Sequence, residues 1–128
     1  MADKGYLPKE KIKEFVEALG KDATVFAPCL EGDTIIFREY TPDKEISLDR
    51  PANTPPKRAI YPQSETLLSF EFKKEADKPQ KMDVELKVNT DFPQTVVFGG
   101  RPCDARGFTI LDRVFIDTDT ADPYYKKR

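Results

Sequence analysis

The sequence predicts an α+β (or α/β) fold, with a mixed sheet of about five strands and two main helices packed on it in a single small domain. Three observations carry this expectation. Apolar residues recur at helical spacing near the N-terminus. Short β-branched and aromatic runs alternate with polar residues through the middle of the chain. A wholly apolar run then leads through Gly99-Gly100 into a second helical pattern.

The first helix is predicted over 8–19. Ile12, Phe15, Val16 and Leu19 fall at i, i+3, i+4 and i+7, which lines one face of an α-helix. Pro8 suits the first turn and Gly20 the C′ position. Thr24-Val25-Phe26-Ala27 and Thr34-Ile35-Ile36-Phe37 read as two strands of a hairpin. Their connection is expected to be a longish loop through Pro28 and Cys29, around the turn cluster Glu31-Gly32-Asp33. From 41 to 63 the chain carries Pro42, Pro51, Pro55, Pro56 and Pro62. That density excludes a regular helix or central strand, so the stretch reads as a long, Pro-rich extended loop of the functional or mobile kind.

Leu68, Phe70 and Phe72 alternate with polar residues, and so do Val84, Leu86 and Val88. The charged run Lys73 to Lys81 between them reads as the solvated tip of a second hairpin. Thr95-Val96-Val97-Phe98 reads as a strand buried on both faces. Phe108, Leu111 and Phe115, flanked by Ile110 and Val114, predict the second main helix. Asp122-Pro123 is a helix start, with Asp at the N-cap and Pro at the first position. Only Tyr124 to Arg128 follow it, so the helix reads as cut short and the chain as a piece of something longer.

The 128 residues are expected to form one domain, large enough to bury roughly two-thirds of the unfolded surface. Basic and acidic residues number 21 and 23 and are well mixed, without the basic stripe of a nucleic-acid binder. No apolar run approaches membrane-spanning length, and no charged-then-apolar leader opens the chain. The expectation is a cytoplasmic protein with neither a nucleic-acid nor a membrane partner.

His is absent altogether, which removes Ser-His and Cys-His nucleophile activation and His-metal ligation. The two cysteines, Cys29 and Cys103, read as thiols. They fall short of the four thiolates of a [4Fe–4S] cluster and of the four ligands of a structural zinc. No residue reads as a catalyst, and no cofactor is expected to be held by this chain alone.

The sharpest local feature is Gly99-Gly100-Arg101-Pro102-Cys103-Asp104, where a strand turns into a helix N-terminus. Backbone N–H groups at such a terminus favour anions, and Arg101 adds a planar cationic fork. One reading is therefore a phosphate, carboxylate or cofactor contact through Gly99, Gly100, Arg101, Cys103 and Asp104. The other is a tight turn in which the glycines supply only conformational freedom. In the first turn Cys103 is placed to be thiolate-rich, as a redox-active thiol or a lone extra ligand to a cluster held mainly by another segment, or it is simply inert. Lys57 and Arg58, followed by Tyr61 and Glu65, suit a partner interface or a solvated loop. Tyr124-Tyr125 reads as docking against a continuation or as fraying. Asp117, Asp119 and Asp122 lack calcium-loop spacing and read as caps and solvation.

Three stretches together carry a family resemblance: 55–65 (PPKRAIYPQSE), 96–104 (VVFGGRPCD, with Leu111-Asp112 and Phe115) and Asp122-Pro123-Tyr124-Tyr125. They resemble the N-terminal region of 4Fe–4S dicluster electron-transfer proteins. That family includes the beta subunits of sulfhydrogenase-type NiFe hydrogenases, and the A-type subunits of anaerobic sulfite reductase. The resemblance runs over nearly the whole chain from Tyr6-Leu7-Pro8. Gly100 departs from it, standing where the family more often has a larger apolar residue, as does Gly107, which loosens the helix.

The resemblance implies an accessory domain of an iron–sulfur electron-transfer subunit. Such a protein works between a hydrogenase or reductase subunit on one side and a flavin/NAD(P)-binding oxidoreductase subunit on the other. The 4Fe–4S clusters would be bound by a cysteine-rich continuation. The alternatives are a module binding a flavin or another phosphate-bearing ligand, and a purely structural or interaction domain.

Overall fold

A computed structural model describes residues 5–75 and 78–128. Its class is α+β, with five strands and two main helices as expected, but the strands form two sheets rather than one. Strands β1 (Thr24–Glu31), β2 (Thr34–Glu39) and β5 (Thr95–Val97) make a three-stranded sheet in the order β2-β1-β5. Strand β1 runs antiparallel to β2 and parallel to β5. Strands β3 (Leu68–Glu75) and β4 (Lys78–Val88) pair with each other in a separate two-stranded sheet.

The expected loop through Pro28 and Cys29 is strand instead. Phe26, Pro28 and Leu30 turn their backbone groups to the β5 side, as the bonds Phe98 N–H to Phe26 O (2.8 Å), Ser47 N–H to Pro28 O (3.0 Å) and Leu30 N–H to Glu45 O (2.8 Å) show. Strand β5 ends before Pro28, whose neighbour on that side is the Pro-rich stretch, bonded to it through the Pro28 carbonyl alone, so a proline is tolerated there. The hairpin turn is correspondingly tight. It spans Gly32 and Asp33, with Gly32 at φ +56°, the left-handed region that two-residue hairpin turns use.

Helix α1 (Ile12–Leu19) follows a 3-10 turn over Lys9–Lys11 and packs the fully buried Val16 toward β1. Gly20 closes α1 at φ −67°, not in the left-handed conformation of a C′ glycine; its N–H reaches Val16 O at 3.0 Å. Among the described residues the core includes Val16, Val25, Ala27, Cys29, Ile35, Phe37, Ala59 and Tyr125. Strand β5 is half-buried rather than enclosed on both faces, because it is the edge of the sheet.

The Pro-rich stretch straps the sheet. Ile46 bridges Cys29 on one edge, Thr54 bridges Ile36 on the other, and Asn53 N–H donates to Ile35 O at 2.7 Å. It then forms a 3-10 turn over Pro56–Ala59, whose Pro56 and Ala59 are buried. This turn touches β1, β2, β5 and helix α2 (Pro102–Phe115). So the first part of α2 meets the domain through this turn, and no residue of α2 is fully buried.

The second hairpin is longer than its alternation predicts. Pairing runs from Leu68↔Val88 through Lys74↔Met82 to Glu75↔Lys78, into the charged run read as a loop; positions 76 and 77 lie outside the described residues. Asn89 N–H and the Tyr124 hydroxyl both donate to Leu67 O, at 3.1 and 2.8 Å, fixing the base of the hairpin.

Candidate functional site

The two glycines of the strand-to-helix turn do different work. Gly99 has φ +74°, and a Cβ there would lie 2.8 Å from Leu48 Cδ2 and 3.2 Å from Pro28 Cδ. Backbone conformation and close packing against the Pro-rich strap both require glycine here. Gly100 needs neither. A Cβ on it would meet only Val97 Cγ1, at 3.6 Å, an ordinary contact, so alanine fits there.

Arg101 is the N-cap of α2 in extended conformation, with Pro102 at the first helical position. The Asp104 carboxylate reaches back and accepts from the Arg101 N–H at 2.9 Å. This is the acidic half of a capping box; a guanidinium has no acceptor with which to complete the other half. The positive end of the α2 dipole is thus faced by the chain's own carboxylate. The exposed Arg101 side chain lies beside a cleft of about 440 Å³, lined also by Pro28, Phe37, Arg50 and Gly100.

Cys103 is exposed at the second position of α2, whereas Cys29 is buried in β1 and its thiol donates weakly to Ala27 O at 3.5 Å. Burial pushes the Cys29 thiol above its ordinary value and holds it neutral. The donor set therefore does not suit an iron–sulfur cluster: one thiol is protonated inside a strand and the other stands alone on a helix.

Lys57 and Arg58 sit exposed on the 3-10 turn. The remaining partner candidates are engaged within the chain. Tyr61 stacks on Phe115 with centroids 5.2 Å apart, and Phe115 stacks on Tyr125 at 5.0 Å. Helix α3 (Pro123–Lys127) is capped by Asp122, which accepts from Tyr125 N–H at 2.7 Å. The buried Tyr125 donates its hydroxyl to Asp112 of α2 at 2.8 Å. Desolvation first, then the hydrogen bond and charge of Asp112, push that phenol's pKa upward. Tyr124 fixes the second hairpin through Leu67. Arg128 pairs with Glu65, donates to Ile60 O at 3.5 Å and lies 4.0 Å over the Phe92 ring.

The structure thus brings together the three stretches that carry the resemblance. Tyr61 and Glu65 come from the first, Asp112 and Phe115 from the second, and Tyr125 from the third. Short-range pattern reveals the motifs but not their meeting. Arg128, Phe92 and Leu48 carry no sequence signal for their roles, because each acts only through a neighbour distant in the chain.

The fold and this junction define an α+β domain whose C-terminal helix is clamped onto its own second helix and strap. No family model matches the chain, and no solved structure matches it. Among curated proteins it is 29% identical over 123 residues to sulfhydrogenase 2 subunit beta of Pyrococcus furiosus. That alignment takes in 95% of this chain and 33% of the relative, so the chain spans about a third of the length of the protein it matches. The relationship to that protein is distant. Among the described residues no helix is long and apolar enough to cross a membrane.

Proposed function

We propose that the chain is an accessory domain of an iron–sulfur electron-transfer subunit. It assembles in the cytoplasm with two kinds of partner, one a hydrogenase or reductase subunit and the other a flavin- and nicotinamide-binding subunit. The observation that carries this reading is the junction itself. The stretches that resemble the dicluster family, and that lie within the alignment to the sulfhydrogenase beta subunit, pack on one another through Tyr61, Phe115 and Tyr125. Their shared work is to hold α3 against α2 and the strap. A domain that holds no cluster ligands serves such a protein by positioning the part that does, and the clusters belong to that part.

Lys57 and Arg58 on the strap and Arg101 at the start of α2, the end of that helix away from Phe115, are exposed cations. A partner's acidic rim suits them, and such charges act on association rate and register more than on total affinity. The test is anaerobic affinity purification from the native host, with iron and flavin measured on the co-purified polypeptides. Recovery of polypeptides carrying both supports the reading, and a Lys57→Glu, Arg58→Glu, Arg101→Ala variant lowers that recovery at least about 10-fold with an unchanged Tm. Absence of iron and flavin from everything recovered, or no effect of the substitutions, overturns it.

A second reading rests on the cleft beside Gly100, which is lined by Arg101 and by Arg50, whose Nη2 already donates to Asp33 O. Asp104 lines the same cleft and opposes an anion there. Calorimetric titration with flavin mononucleotide and inorganic phosphate tests it, and no heat at millimolar ligand ends it.

A further inference from the structure

The second hairpin has two unlike faces. One carries Ser69, Glu71, Lys73, Asp83, Glu85 and Lys87, knitted by the ion pairs Lys73–Glu85 and Lys87–Glu71. The other carries three cross-strand apolar pairs, Leu68↔Val88, Phe70↔Leu86 and Phe72↔Val84. All six of these side chains are between 52% and 62% exposed. Phe70 and Phe72 touch edge to face, with centroids 5.5 Å apart, so the patch is continuous. An isolated two-stranded sheet with an uncovered apolar face is marginal in water.

We propose that this face is covered by the same face of a second copy of the chain, giving a two-fold dimer. Two features on the hairpin fit that occupant. The first is area: the six residues leave on the order of 600 Å² in solvent, at the top of the range for the largest patch of a monomer and approaching the roughly 800 Å² each partner gives to a standard interface.

The second is shape. In every pair the bulkier residue is on β3 and the smaller on β4: Leu over Val, Phe over Leu, Phe over Val. A two-fold axis running along the strands between the faces lays β3 of one copy on β4 of the other. Each large side chain then meets a small one at the same level, so the faces interdigitate as a packed core does. The patch is without charge at its centre, so self-pairing brings no like charges together there.

This proposal stands apart from the functional reading, since it concerns the purified chain with no other component. Sedimentation velocity from about 1 to 100 µM is expected to show a dimer with Kd at or below about 10 µM. Phe70→Glu alone and Leu86→Lys alone are each expected to raise Kd at least about 10-fold. Their equimolar mixture is expected to recover a heterodimer, because the axis sets position 70 of one copy over position 86 of the other. Phe70→Thr keeps β propensity and serves where the charged variants lose strand signal by circular dichroism. A wild-type chain still monomeric at 100 µM overturns the proposal and leaves the face to a different polypeptide. So does dimerisation undiminished by Phe70→Thr, or a mixture that stays monomeric.

Discussion

The Tyr125 hydroxyl donates to the Asp112 carboxylate at 2.8 Å, joining a five-residue C-terminal helix to the last turn of the fourteen-residue α2. A helix of that length has no stability of its own, because nucleation costs more than so few backbone bonds return. Its position comes from the Asp122 cap, the Phe115 stack and this hydrogen bond.

Tyr125→Phe keeps the stack and removes the hydrogen bond. A loss of about 1.5–3 kcal/mol is expected, the range for a bond to a charged acceptor, measured by urea denaturation at pH 7. Because the folded phenol holds its proton more tightly than the unfolded one, its contribution is complete below the ordinary tyrosine pKa of 10 and lost as pH rises beyond it. The wild-type chain should therefore lose stability faster than Tyr125→Phe above pH 10. Parallel curves there would show that the bond contributes nothing.

Gly99→Ala and Gly100→Ala should differ sharply despite their adjacency. The first meets Leu48 and Pro28 at clashing distance and strains a φ of +74°, for an expected loss of about 2–4 kcal/mol. The second finds open van der Waals space and should stay within about 0.5 kcal/mol of wild type. Equal denaturation midpoints for the two variants would contradict the turn described.

Gly107 lies inside α2, where an added Cβ meets nothing within 4 Å. Gly107→Ala should stabilise the domain by about 1 kcal/mol through helix propensity alone. A fall in Tm would mean that the groove it lines with Pro55, Pro56 and Phe108 is tighter than it stands here.

Thiol reactivity should divide the cysteines cleanly. Ellman's reagent at pH 8 should label the exposed Cys103 at once and Cys29 only after denaturation, since Cys29 is enclosed and held protonated. Cys103→Ser should abolish the native-state reaction, and a fast reaction that survives it would show that β1 opens.

Much of the local structure is legible in the sequence. The alternation in 68–72 and 84–88, the helical face of Ile12 to Leu19 and the Asp122-Pro123 start each specify an element through side-chain period or cap chemistry. What misled was position within a sheet. Pro28 signals a loop only if its missing N–H would have been needed, and the length of a strand read from a distant segment decides that. The apolar run at 95–98 signals burial, yet a three-residue strand at a sheet edge is only half covered.

The candidate site divides in the same way. The residues at 57–65, 99–104 and 122–125 stand out by composition, and Gly99 is marked by its turn. That Tyr61, Glu65, Tyr124 and Tyr125 spend their side chains on the chain's own junction is not marked anywhere in their neighbourhoods. The sequence by itself determined many of the elements and the class of fold, because period, caps and residue chemistry are local properties. Only the tertiary structure decided that the strands divide into two sheets, that the strap holds both edges of one, and that the C-terminal helix is clamped. Those depend on contacts between residues such as Glu65 and Arg128 or Gly99 and Leu48, whose energies exist only once the chain has closed the loops between them.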